Sequence, residues 1–352
     1  MKTTPSHRRR LVPRVIWYAS IAAGLLTAHL SAAAALHKPV AAVAGAGSPE
    51  PALEILKVQG NIYMIVGAGG NITAQVGEDG IVLVDTGRAD KSSQVIQALH
   101  QLSSKPLRFI INTHAHADHT GGNEALSKIG KFVGDRTEPE ASYAAIFAHE
   151  NVSTSMQSPP DGTPAASSLA LPTDTFFNAS MDFSFNNEAL QIIHVPIAHT
   201  DGDSIVYFRH SDVVSTGDVF ITTGFPYIDL PRGGTINGII NALNLIIDIT
   251  IPLDKEEGGT LVIPGHGRLC DEADVVNYRD MLTIIRDRIQ DLIDKGMKLE
   301  QVKAARPTRG YDARWGTDKG AWTTADFVEA AYRSLHTSPA ISPAPRSAET
   351  RK

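Results

Sequence analysis

Imidazole nitrogen and carboxylate oxygen are ordinary zinc ligands. The stretch INTHAHADHT, residues 111–120, supplies four such groups within six positions: His114, His116, Asp118 and His119. In extended or tight-loop backbone, residues two apart project to the same side, so His114 and His116 can share one ion. Asp118 and His119 follow after a turn and can face a second ion close by. Three further candidates stand elsewhere: His199 in IAHTDGD, Asp218 in STGDVF and His266 in IPGHG. A polar loop that happens to be rich in histidine is the alternative.

The stretches that carry these residues share a pattern. GIVLVDTG, LRFIINTHAH, LQIIHVPIAHT, DVVSTGDVF and GTLVIPGHG each read as an apolar strand that ends in a polar loop. The continuous run GIVLV suits a strand buried on both faces and ending at Asp85. In layered α/β folds, ligands gather at the C-terminal ends of such strands. SSQVIQALHQL, TINGIINALNLIID and VVNYRDMLTIIRDRIQDLIDKG have helical spacing. In the last, Tyr278, Met281, Leu282, Ile285, Ile289, Leu292 and Ile293 share a face, and Gly296 is the expected stop. TTADFVEAAYRSL predicts a final helix with Thr323 and Asp326 at capping-box spacing. Residues 150–175 are polar and predict a mobile loop over the pocket.

Residues 1–35 read as an export signal. Arg8, Arg9, Arg10 and Arg14 precede an apolar run, and 15–36 holds no charged residue over 22 positions. Left uncleaved, that segment is long enough to anchor the chain in a bilayer, the one membrane contact expected. Both versions place the rest in the periplasm or outside the cell. Residues 36–50 read as a linker, 51–336 as the catalytic domain, and 337–352 as a disordered tail. Residues 1–35 carry five positive charges and no negative ones, so their removal takes the formal net charge from −6 to −11. So acidic a domain excludes nucleic acid as a partner, because phosphate backbones are held by Lys and Arg. Cys270 is the only cysteine, which rules out an intrachain disulfide and suits a core position. Asn71, Asn151 and Asn178 begin Asn-x-Ser/Thr sequences, which matter only in a host that glycosylates.

His114-x-His116-x-Asp118-His119, followed by His199, Asp218 and His266 at strand ends, resembles the signature of the metallo-β-lactamase superfamily over roughly residues 53–295. VDTG at Asp85 looks like that superfamily's first motif, whose Asp supports the metal loop rather than binding metal. The resemblance implies an α/β fold, an αββα four-layer sandwich with C-terminal helices and the metals at one edge. It assigns His114, His116 and His199 to a first zinc, and Asp118, His119 and His266 to a second. Asp218 would bridge them, and Asp118 would also orient water or shuttle a proton. Two zinc ions per chain, about 3.5–4 Å apart, would hold a bridging hydroxide that attacks a carbonyl. The implied enzyme is a binuclear metallo-hydrolase of a small-molecule ester, thioester, lactone or lactam. Iron or manganese suits the same ligands.

No characterised branch fits throughout. Penicillin-cleaving members usually have Cys or Ser near the position of Asp218. Quorum-quenching lactonases have Tyr three residues later, where this chain has Ile221, and glyoxalase-type enzymes have a shorter gap than the 80 positions from His119 to His199. HTDGDS…TGDVF…GFPYID…GGT looks instead like a large group of exported metallo-hydrolases. A β-lactamase proper, an iron-dependent redox member and a non-catalytic metal-binding module remain as alternatives. The last predicts a lost ligand, and none is missing. Tyr227 is placed to reach a substrate oxyanion, and Gly233, Gly234 and Thr235 form a helix start that could meet a carboxylate. Plain loop and cap structure is the alternative for both. Nothing in the sequence specifies an oligomer.

Overall fold

Strand residues alternate between two faces, and here that alternation sorts side chains into separate layers. A computed structural model describes residues 52–132, 142–255 and 258–337. The expected signal segment and linker lie outside the described residues, as does the tail beyond residue 337. In one sheet, β1 (Glu54–Lys57), β2 (Ile62–Val66), β3 (Ile72–Gly77), β4 (Gly80–Val84), β5 (Leu107–Ile111), β6 (Ala145–His149) and β7 (Asp174–Phe176) lie in sequence order. The first four pair antiparallel and the last four parallel.

The second sheet holds β8 (Ser180–Phe185), β9 (Glu188–His194), β10 (Ser204–Phe208), β11 (Val213–Ser215), β12 (Leu261–Ile263) and β13 (Cys270–Asp271). Its order runs from β13 back to β8. Only β11 and β12 run parallel in it. The helices are α1 (Ser92–Leu102), α2 (Ala117–Thr120), α3 (Asn123–Ile129), α4 (Glu150–Gln157), α5 (Ile236–Ile249), α6 (Glu272–Asp294), α7 (Leu299–Ala305), α8 (Asp312–Trp315) and α9 (Thr324–Thr337).

Val82 and Val84 face the second sheet, whereas Ile81 and Leu83 on the same strand face Val95 and Leu99 of α1. Val206 and Phe208 meet them from β10, while Ile205 turns outward to the layer of α5 and α6. The result is the αββα sandwich, with α7 and α9 added over α6. Gly296 takes φ +76° just past α6, and Thr323 and Asp326 form the reciprocal cap of α9. One stretch departs from expectation. Residues 150–157 form α4, because Val152 and Met156, four apart, pack with Ala148 beneath an otherwise polar surface. Residues 158–173 are loop, and β7 begins at Asp174.

Phe208 is fully buried between the sheets. Phe208→Ala is expected to lower the unfolding free energy by about 3–5 kcal/mol. A fall in the urea midpoint at unchanged m-value would show it.

Candidate metal centre

Five loops at strand ends meet at one edge of the sandwich. After β4, Asp85 turns the chain with φ +64°, a left-handed conformation that short polar side chains tolerate. Its buried carboxylate accepts from Thr113 N at 2.8 Å, Thr113 Oγ1 at 2.7 Å and His119 Nδ1 at 2.7 Å. Three bonds to one carboxylate tie β4, β5 and the histidine loop together. The second sheet is fastened across by Asn71, which donates its side-chain amide to Pro264 O at 2.8 Å and Gly267 O at 3.0 Å. Asn71 N also donates to Gly265 O at 2.7 Å.

These outer bonds set which ring nitrogen each histidine turns inward. Thr113 Oγ1 donates to Asp85, so it accepts from His114 Nδ1 at 3.0 Å, and His114 Nε2 keeps the lone pair. His199 Nδ1 donates to the Tyr227 carbonyl at 2.7 Å, and His116 Nε2 to Asp229 Oδ2 at 2.8 Å. The inward atoms fall into three groups: His114 with His116 and His199, His114 with His119 and Asp218, and Asp118 with His119 and His266. Within each group the ligand atoms lie within 4.8 Å of one another. Asp218 spans them. Its Oδ1 is 3.2 Å from His119 Nε2 and 3.5 Å from His266 Nε2, and its Oδ2 is 3.9 Å from His199 Nε2.

His114 Nε2 and Asp218 Oδ1 are buried without a hydrogen-bond partner. Orphaned buried polar atoms are costly and call for an explanation. A cation among imidazole and carboxylate donors supplies one, so these residues fit a divalent metal. Electrostatics agrees. Burial and the neighbouring His119 hold His114 well below its ordinary range, and burial brings His199 down to about 4. Burial opposes charge on His266 too, yet Asp118 and Asp218 lift it to about 9. His119 is likewise raised, against burial, by Asp218 and Asp85. Burial alone would raise Asp118, but His266 and His119 bring it to about 2.

All seven expected ligand positions therefore converge. A cavity of about 1000 Å³ opens over them, with His116, Asp118, Asp218 and His266 on its floor and Tyr227 and Arg232 on its side. Tyr227 is 38% exposed, with its ring centroid 5.7 Å from that of His116 and 5.6 Å from that of His199. Gly233, Gly234 and Thr235 do not line the cavity. Thr235 caps α5 by accepting from Gly238 N at 2.9 Å, so the stretch is a cap and not a carboxylate receptor. His194 donates to the Asp203 carbonyl and stacks on His149 at 3.6 Å, away from the ligands.

Several contributors escaped sequence reasoning. Asp229 is buried, orients His116, and pairs with Arg232 Nη1 at 2.8 Å. Tyr227 acts on His199 through its backbone, which no side-chain motif reveals. A Cβ on Gly70 would fall on the His119 imidazole, and one on Gly265 on the Asp218 carboxylate. These glycines let backbone lie directly against ligands. The doublet in GAGGN and the Gly before His266 were the available signals.

The model of the metallo-beta-lactamase superfamily matches residues 57–276. The chain is 24% identical over 271 residues to the linear primary-alkylsulfatase of a Pseudomonas species, covering 66% of this chain and 50% of that protein. It is also 24% identical over 222 residues to a probable metallo-hydrolase of Methanocaldococcus jannaschii, covering 62% of this chain and 94% of that one. Among solved structures, a double mutant of a sec-alkyl sulfatase aligns with a TM-score of 0.62 at 16% identity, over 80% of this chain and 50% of that one. That likeness is one of fold. The chain spans about half the length of the alkylsulfatases it matches.

Asp229→Asn keeps the shape beside His116 but removes the charge that its Nε2–H meets. Metal affinity, measured by chelator competition, is expected to fall by about 10–100-fold. Because His119 and His266 are raised, the metal-free centre holds protons at neutral pH, and His266 gives its proton up as pH passes about 9. Metal uptake at pH 7 should therefore release about two protons, and affinity should climb with pH until those sites are empty. Calorimetry in buffers of different ionisation enthalpy reads that number, and zero release would contradict both ligand roles.

Proposed function

The chain belongs to the metallo-beta-lactamase superfamily, and within it we propose a binuclear zinc hydrolase that cleaves a small-molecule ester, thioester, lactone or lactam outside the cytoplasm. The observation that carries this reading is Asp218, whose two oxygens face different histidine groups, Oδ1 toward His119 and His266 and Oδ2 toward His199. A carboxylate so placed is suited to two cations rather than one. Export is supported by the basic start and the uncharged run 15–36.

His114, His116 and His199 would hold one cation, Asp118, His119 and His266 the other, and Asp218 both. Cations bound there supply activation of water and polarisation of the group under attack. The remaining work falls to the chain. Asp85, Asp229 and the Tyr227 carbonyl fix the ring orientations, so no reorganisation is needed when substrate arrives. Asp118 lines the cavity and its side chain is 38% exposed, so it reaches substrate as well as the centre. Its carboxylate would take a proton from the attacking water and return it to the leaving group. The alkylsulfatases among the relatives add alkyl sulfate esters as a second substrate class to assay.

The test is a matched panel on the zinc-loaded full chain, with and without a chelator: a neutral aryl ester, a lactone, a thioester, a cephalosporin and an alkyl sulfate. A chelator-sensitive rate on one of the first four is expected. No metal-dependent rate on any compound would overturn the reading. Asp218→Ser should leave roughly one bound metal instead of two and lower the rate by about two orders of magnitude or more. Unchanged metal content would remove Asp218 from its bridging role.

A further inference from the structure

The matched family span stops at residue 276, yet the cavity wall continues beyond it. Trp315, Trp322, Thr323 and Thr324 line the cavity from the segment 299–337, which holds α7, α8 and α9. This segment grips the loop 224–227 at three points. Phe225 N donates to Trp315 O at 3.1 Å, Trp322 Nε1 donates to Pro226 O at 3.2 Å, and Phe327 stacks on Phe225 with centroids 4.7 Å apart. Trp322 then stands edge-on to Tyr227, at 4.6 Å and 87°, and Tyr227 reaches the His116 ring. An aromatic ledge thus runs outward from the metal ligands. Met156, Pro159 and Pro164 line the cavity from the α4 segment.

Charge narrows what this ledge can take. Among the described residues lining the cavity, Arg232 is the only Lys or Arg. Its side chain is 8% exposed, and Nη1 and Nη2 are committed to Asp229 and Asp161 at 2.8 and 2.9 Å. Asp161 and Glu124, the latter paired with Lys128, add carboxylates to the lining. An anionic substituent lying along this wall would find no uncommitted cation, whereas a flat uncharged ring would find aromatic faces and edges.

We propose that the C-terminal segment is the substrate-selecting wall, on which Trp322 and Tyr227 hold an uncharged, ring-sized apolar group of the substrate beside the metal ligands. Its premise is the hydrolytic centre assigned to those ligands. Trp322 is a specificity-determining residue, and a substrate with an anion on that ring is disfavoured.

Two fluorescent probes of the same ring system test this on the full chain: neutral N-phenyl-1-naphthylamine and its sulfonated counterpart, 8-anilinonaphthalene-1-sulfonate. The neutral probe should bind about tenfold more tightly. Trp322→Ala should weaken it about tenfold, while Trp322→Phe, which keeps a ring, should stay within about threefold. Equal affinity for the two probes, or an unchanged neutral affinity in a folded Trp322→Ala variant, overturns the proposal. The wild-type comparison needs no variant, so a folding failure in Trp322→Ala leaves the test intact. Probe binding needs no turnover. A protein that hydrolyses esters but binds both probes equally loses the wall and keeps the hydrolytic centre. Selective neutral binding without any metal-dependent hydrolysis removes the hydrolytic premise, and with it the claim that the ledge selects substrate.

Discussion

A buried carboxylate must have its oxygens satisfied or it costs the fold several kcal/mol, and Asp85 meets that demand by organising the whole edge of the sandwich. It sits 2% exposed in left-handed backbone, and its three hydrogen bonds come from the ends of two other segments. Thr113 is pinned twice. That fixes where the chain leaves β5 and thereby where His114 and His116 emerge. The third bond turns His119. Asp85 touches no candidate cation itself, yet the inward geometry of three histidines follows from it.

The opposite half of the centre obeys the same logic with different chemistry. His199 is held by a peptide carbonyl and His116 by Asp229, whose charge is balanced by Arg232. Both supports lie in the stretch from Tyr227 to Arg232, and the C-terminal segment clamps the chain just before it. Substrate-facing surface and ligand orientation are thus coupled through a single short loop. Packing changes around Phe225, Trp315 or Trp322 bear on His199 through two bonded steps, even though none of those residues approaches the ligands directly.

How much of this was legible in the sequence depended on whether the signal resides in side chains. The strand-then-polar-loop pattern placed His114, His116, Asp118, His119, His199, Asp218 and His266 at one edge, because an apolar run must stop where the chain reaches solvent. The layers came from the family resemblance, because the run GIVLV is apolar throughout and marks a strand buried on both faces without saying what each face meets. Tyr227 O carries no such mark, because every residue has a carbonyl. Asp229 is indistinguishable in sequence from a turn aspartate, and it does cap a turn, accepting from Arg232 N. The helix α4 was hidden because only Val152 and Met156 mark its buried side. Gly233–Gly234–Thr235 left two roles open, and the structure gives the plain one: Thr235 caps α5, and a Cβ on Gly234 would meet the His199 carbonyl.

Asn71 begins one of the three glycan acceptor sequences, and it is 6% exposed with its side-chain nitrogen engaged by two carbonyls of the loop that carries His266. In a eukaryotic secretory pathway, oligosaccharide is attached to the extended chain before folding. A sugar on that nitrogen would be too large for the space between the two sheets. It would hold the His266 loop off its seat. Production through yeast or insect secretion would then yield a mixture of closed and pried-open molecules, while a cytoplasmic bacterial host bypasses the modification. The choice of expression system is therefore part of the biochemistry of this centre.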